Sequence, residues 1–315
     1  MKRRWLIVCV SICIVMVILP YIVHAPCLNH LENIFSNKNS KPITIGFGGD
    51  MMFDRYIRTR GDEIGFEELL FPLKALFSNH DLVVVNLEGP ITDFSSVSVG
   101  SQVLEPNNYI FTFPSVVAKT LKKIGVTHVS LGNNHILNFG NLGLSQTKQY
   151  LNDAGIKYFG EPFTETPHIK TLNGISIGFI AFNEFAPPPK DIIVKALHDL
   201  EEIVDFIVVY SHWGYEYEHE PNIIQRQLAH EFIDAGADLV VGSHPHVIQS
   251  SEVYRDKHIY YSLGNLIFDQ YWEESVRCGL FISVTINPKD FSYTTQETTV
   301  HLEKDGSTVI APCNR

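Results

Sequence analysis

Short, nearly continuous apolar runs of strand length recur along this chain, separated by stretches in which apolar residues return every three or four positions. That alternation predicts an α/β layered fold. "ITIGFGG" leads to a helix around 72–77, with Pro72 suited to its first turn. "DLVVVNLE" is followed by a long loop, a helix over 115–124, the run "HVSLGNNH", and a helix "GLSQTKQYLNDAG" ended by Gly155. "HIKTLNGISIGFIAF" reads as two strands around the turn Asn173-Gly174. After the loop "FAPPPK" and a short helix comes "DFIVVYSH". Ile224, Leu228 and Phe232 then recur at fourfold spacing in an amphipathic helix closed by Gly236. "DLVVGSHPH" follows, and from there the pattern is all strand: "VIQSSEVY", "KHIYYSLG", "CGLFISVTI" and "FSYTTQETTVHLE". One domain over 42–315 is expected.

The first 24 residues break this pattern. Lys2-Arg3-Arg4 precede an uncharged apolar stretch from Trp5 to Val23, nineteen residues long. At the helical rise that is roughly 28 Å, enough to cross a bilayer. A cleaved signal peptide with its site near Val23-His24-Ala25 is the rival reading, and a lipoprotein with Cys27 as acceptor a weaker one. The length of the run and Pro26 after the cut favour a retained transmembrane anchor over 1–24. Basic charge ahead of the span predicts a single-pass plasma-membrane protein with a cytoplasmic N-terminus and an extracytoplasmic domain. Residues 25–41, polar and without periodicity, read as a linker.

Removing the three basic residues of that span from the 24 in the chain leaves 21 against 35 acidic groups, a formal net charge of −14. An acidic body excludes nucleic acid as a general partner. It leaves room for a phosphate site in which a metal supplies the positive charge. Five cysteines with no CxxC give no metal motif; a Cys278–Cys313 disulfide and unpaired thiols are both open.

Six apolar runs end in residues able to bind metal or phosphate: Asp50, Glu88, Asn134 with His135, His212, His244 with His246, and Asn265. Ligands of open α/β sheets sit at the carboxyl ends of strands, so these ends can face one cleft. Each residue alone is an ordinary cap, turn or surface group. Together, four histidines, two carboxylates and asparagine suit a two-metal centre with nitrogen and oxygen ligands, for Mn, Zn or Fe rather than Ca. "GFGGD" lacks both the GxGxxG spacing and the GK[ST] of nucleotide loops. "YEYEHE" reads as a solvated loop rather than a catalytic pair, with a substrate-contact role left open by its closeness to His212.

In order, "GDMM", "NLEGPIT", "SLGNNHILNFG", "SHWGYEY", "GSHPHV" and "SLGNLIFD" are similar to motifs of one family. The chain resembles the CapA family of poly-γ-glutamate capsule synthesis proteins, a branch of the calcineurin-like metallophosphoesterases, over about residues 43–270. The resemblance implies a four-layer α-β-β-α sandwich with two divalent metal ions at the strand ends. Asp50 and His246 would hold the first ion, Glu88 would bridge, and Asn134, His212 and His244 would complete the second. His135 looks like the histidine that acts as general acid or steadies the leaving-group oxygen. Asn86, Asn133, Trp213 and Asn265, in the same motifs, would contact substrate. Such a pair of ions polarises a phosphoryl or carbonyl oxygen and lowers the pKa of a bound water.

Three positions depart from the usual pattern. Met52 stands in place of the His of Asp-x-His, so the first site is expected to bind its ion more weakly. Glu88 replaces an Asp, and Asn138 stands where the branch often has Asp. The resemblance implies a metal-dependent hydrolase or transferase acting on poly-γ-glutamate or a phosphoester. Its alternative is an accessory subunit, working with other capsule synthesis proteins, whose metal site is structural or binds polymer.

Overall fold

The structure, a computed structural model, describes residues 41–313. The expected anchor over 1–24 and the linker up to residue 40 lie outside the described residues. Among those described, no helix is long and apolar enough to cross a membrane.

Strands β1 (Ile43–Met51), β2 (Leu82–Leu87), β3 (His128–Ser130) and β4 (Lys157–Phe159) run parallel. Next in the chain, β5 (His168–Leu172), β6 (Ile175–Asn183), β7 (Phe206–His212), β8 (Leu239–Ser243), β9 (Ser251–Tyr254) and β10 (Lys257–Tyr260) form a second sheet in the order β5-β6-β7-β8-β10-β9. The remaining strands, β11 (Asn265–Ile267), β12 (Cys278–Ile286), β13 (Tyr293–Leu302) and β14 (Thr308–Ile310), return to the first sheet. Its order is β14-β13-β12-β1-β2-β3-β4, with β11 paired parallel to the end of β1.

The period-2 alternation of the strands divides the apolar residues among three cores. Ile45, Phe47 and Val84 of the first sheet meet Ile177, Phe179, Val208 and Val241 of the second in a core between the sheets. Val83, Val85 and Leu87 point the other way, against α1 (Arg55–Ile64), α2 (Phe66–Leu70), α3 (Leu73–Phe77), α4 (Val116–Ile124) and α5 (Gly140–Ala154), through Ile57, Leu69, Phe77, Leu121 and Leu151. On the far side of the second sheet, Ile207, Val209 and Val240 pack on Ile193, Leu197 and Phe232 of α6 (Lys190–Glu201) and α7 (Ile223–Asp234). Each such buried side chain contributes about 1.5–3 kcal/mol. A strand slipped by one residue would exchange two cores, so the register is tightly specified.

Several expected boundaries shift for local reasons. α7 starts at a capping box in which the Asn222 side chain accepts from Gln225 N, and it buries Leu228 and Phe232 but leaves Ile224 exposed. The hairpin at Asn173-Gly174 forms with φ of 47° and 81°, the left-handed pair that a two-residue turn requires. Asn265 does not end a strand. The "KHIYYSLG" strand stops at Tyr260, and Asn265 opens β11, crossing to the first sheet where it lies opposite Asp50. The glycines of "GFGGD" serve that crossing, because a Cβ on Gly49 would collide with the Gly264 carbonyl. Cys278 and Cys313 form a disulfide with a sequence separation of 35. Closing a loop of that length removes about 3–4 kcal/mol of chain entropy from the unfolded state.

Candidate metal centre

Asp50, Glu88, His212 and His244 come from the carboxyl ends of β1, β2, β7 and β8, so neighbouring strands of the two packed sheets deliver their last residues to one place. All four are buried, as is His246. Their ligand atoms form two groups, Asp50–Glu88–His246 and Glu88–His212–His244, in each of which the atoms lie within 4.8 Å of one another. Glu88 belongs to both. Asn134 adds its Oδ1, 2.9 Å from His212 Nε2.

The turn of "GSHPHV" is strained to achieve this. His244 and His246 have φ of 95° and 59°, a region that side-chain-bearing residues avoid at a cost of about 1–3 kcal/mol each. The strain places the two imidazoles on different groups, with ring centroids 6.0 Å apart. The backbone also contributes, since His244 N donates to Asp50 Oδ2 at 3.0 Å.

A web of asparagines fixes the donors. Asn86 Nδ2 donates to Asp50 Oδ1 at 2.8 Å and lies 3.3 Å from His212 Nδ1. Ser243 Oγ also reaches His212 Nδ1, at 3.0 Å. Asn133 donates to Asn86 Oδ1 and Leu87 O, and its own Oδ1 accepts from His135 N. Asn265 Oδ1 meets His246 Nδ1 at 3.0 Å, while its amide is spent on Gln270 Oε1 and the Val276 carbonyl. Asn86 and Asn265 therefore bond directly to ligand residues, and Asn133 holds Asn86.

Trp213, expected to contact substrate, lies apart from the ligand cluster. Its ring is fully buried in the core under α7, stacked on Phe232, and its Nε1 donates to Tyr261 O at 2.9 Å. The motif places it one residue beyond His212, where the strand's alternation turns the side chain away from the site. Trp213→Ala should lower folding stability by about 3–5 kcal/mol in urea titrations while metal binding by the folded protein is retained.

Burial would lift Asp50, but the hydrogen bond from His246, the electrostatic pull of the His246 and His212 imidazoles, and the Asn86 amide outweigh it and hold the carboxyl well below the usual carboxylate range. Burial, then the charge of Asp50, push Glu88 well above that range. Burial and the neighbouring histidines drive His212 well below the ordinary imidazole value and His244 down to about 3. Neutral imidazoles offering lone pairs beside buried carboxylates that repel one another are the donor set a divalent cation needs. Two of these atoms, Glu88 Oε1 and His244 Nδ1, are buried without any hydrogen-bond partner. Such orphans are costly in a fold and are relieved by coordination, so the residues fit a divalent metal site. Met52 takes no part: it is buried in the helix-side core and its sulfur accepts from Asp54 N. The first group thus has one imidazole and two carboxylates.

His135 sits at the mouth. It is half-buried, beside the exposed Asn134, with Nδ1 3.2 Å from Asn138 Oδ1, which also accepts from Phe111 N. An amide oxygen already accepting a backbone N–H assigns the proton to Nδ1 and leaves the Nε2 lone pair free. Burial pushes His135 down to about 4, although Asn138 works in the opposite direction. Phe185, 47% exposed, lies over His244 at 4.4 Å between centroids and 6.0 Å from His212. Sequence reasoning missed Phe185 and Ser243; the latter stands inside a quoted motif, but a serine there carries no signal of its own.

Two packed sheets flanked by helices, with a buried nitrogen and oxygen donor cluster at the strand ends, define an α/β two-sheet protein with a candidate metal centre. A family model described as "Bacterial capsule synthesis protein PGA_cap" matches residues 44–270, and the chain belongs to that family. It is similar to the Bacillus subtilis (strain 168) protein named PGA biosynthesis protein CapA, with 31% identity over 249 residues, 73% of this chain and 64% of that one. The Bacillus anthracis capsule biosynthesis protein CapA is 29% identical over 259 residues, 75% and 62% of the two chains. A probable polyglutamine synthesis accessory protein of Mycobacterium tuberculosis is 26% identical over 226 residues, 60% and 56% of the two. The chain thus spans less than two-thirds of the length of these curated relatives. Among solved structures, one described as a novel phosphatase from Mycoplasma pneumoniae superposes with a TM-score of 0.52 at 15% identity, covering 83% of this chain and 94% of that one, and shares its fold.

Proposed function

We propose that the chain is a membrane-anchored, extracytoplasmic CapA-type protein of poly-γ-glutamate capsule synthesis, and that its strand-end cluster is a dinuclear centre for hydrolysis or group transfer. The observation that carries this reading is Glu88, shared by two buried ligand groups and retaining an oxygen without a hydrogen-bond partner. Bound there, two divalent ions supply Lewis acidity. Asp50 and His246 would hold one, and Asn134, His212 and His244 the other. The protein's own part is to orient these donors through Asn86, Asn133, Ser243 and Asn265, and to present His135, whose Nε2 would take up a proton and pass it to the leaving-group oxygen as the general acid that the resemblance implies. Names of the Bacillus relatives support an amide-linked poly-γ-glutamate chain as substrate; the fold alone supports a phosphoester.

Incubating the full chain and Mn with poly-γ-glutamate, and separately with a phosphodiester, tests this. Chain shortening or ester cleavage that a chelator stops is expected, and neither polymer nor ester being altered would defeat the catalytic reading. The side chain of Met52, buried away from the site, favours a second reading, an accessory subunit whose ions are structural or hold polymer. On that reading, cells carrying His135→Asn would still make capsule.

A further inference from the structure

Arg55 belongs to neither ligand group, yet it is held in a conformation that is costly for its type. Its φ is 50°, in the left-handed region that favours glycine, and its side chain is only 13% exposed. One arm, Nη1, donates to Asn108 Oδ1 at 3.1 Å, and Nη2 is ion-paired with Asp269 Oδ1, whose other oxygen accepts from Tyr56 N. The guanidinium carbon lies 5.2 Å from the Phe111 ring centroid and 5.3 Å from that of Phe268. Those rings lead directly to the site: Phe111 packs on His135 at 4.4 Å and Phe268 on His246 at 4.7 Å.

We propose that Arg55 is a positioning residue for the first metal site, clamping the segment after β11 so that Phe268 and Asn265 hold the His246 ring in ligating orientation. This rests on the reading of the cluster as a two-metal centre. The first group depends on such a clamp because Met52 leaves His246 as its single imidazole. A planar fork suits this role, because it can bond Asn108 and Asp269 at once while its faces meet the two rings, which a lysine ammonium cannot do. Among the described residues the imidazoles of the second group are held otherwise, His212 by Ser243 and Asn86 and His244 against Phe185, so the orientation that Arg55 supports is that of His246.

The test is calorimetric titration of the metal-free full chain with Mn, in which His246→Ala and His244→Ala assign the binding events to the two sites. Arg55→Met should weaken the first-site event by about tenfold or more, the range seen when an outer partner of a ligand is lost. The second event should stay within about twofold. Arg55→Lys should recover part of the loss, and Asp269→Asn, which keeps Arg55 but breaks the ion pair, should move the same event in the same direction. If Arg55→Met does not fold, the lysine and Asp269 variants decide. Equal weakening of both events, or an unmoved first event, overturns the proposal. A wild-type protein that binds no Mn overturns the two-metal reading beneath it.

Discussion

Glu88→Gln is expected to release both metal ions and, in the chelator-treated protein, to raise the melting temperature. The first effect follows from geometry, since Glu88 is the carboxylate common to both ligand groups. Losing only an outer partner of a ligand costs about ten- to a hundredfold in affinity, so removing the shared anionic ligand should cost more than about a hundredfold at each site. The second effect follows from burial. Glu88 is removed from water beside ionised Asp50, and both causes raise its pKa in the fold. Its folded pKa lies above the unfolded one, so the folded state binds the additional proton. Stability is fully present below the ordinary carboxylate value and falls as pH climbs from there towards the raised value. Glutamine keeps the shape and never ionises. At neutral pH and without metal the variant should therefore melt above the wild type, the gap closing as pH drops below the ordinary carboxylate range. With Mn the order should reverse. Calorimetric melting with and without chelator reads both signs, and a variant that melts below the wild type in chelator at neutral pH contradicts the assignment.

His135→Asn is expected to lower turnover by about a hundred- to ten-thousandfold, the usual share of a positioned proton carrier, while metal content stays at the wild-type level. The separation arises because His135 is absent from both ligand groups. Asparagine keeps a hydrogen-bonding group at the Nδ1 position, where Asn138 is met, but has no atom at the Nε2 position and takes no proton at neutral pH. The rate constant and metal content of the same preparation are to be measured together. Joint loss of rate and metal would make His135 a ligand, and an unchanged rate would remove it from the reaction.

Much of this is legible in the sequence because the strands are buried on both faces and so read as unbroken apolar runs. The residue that ends each run is polar and stands out, and Asp50, Glu88, His212 and His244 are all visible in this way. Asn265 belongs to the cluster for a different reason, since it opens a strand of the other sheet instead of ending the run that precedes it. The crossing from the second sheet to the first at Ser262–Asn265 has no period to detect. Trp213 misleads because a motif transmits sequence adjacency, whereas a strand sends adjacent side chains to opposite faces. Arg55 carries no signal in the sequence at all. Its significance lies in Asn108, Phe111, Phe268 and Asp269, brought to it from 53 or more positions away, and no local pattern encodes that meeting.

The central claim is that one buried carboxylate is shared by two cation sites. Metal content by mass spectrometry on the purified full chain, saturated with Mn and desalted, addresses it most directly. The account predicts about two equivalents per chain, about one for His244→Ala and for His246→Ala, and essentially none for Glu88→Gln. A wild-type protein without metal, or histidine variants that retain the wild-type content, would contradict it.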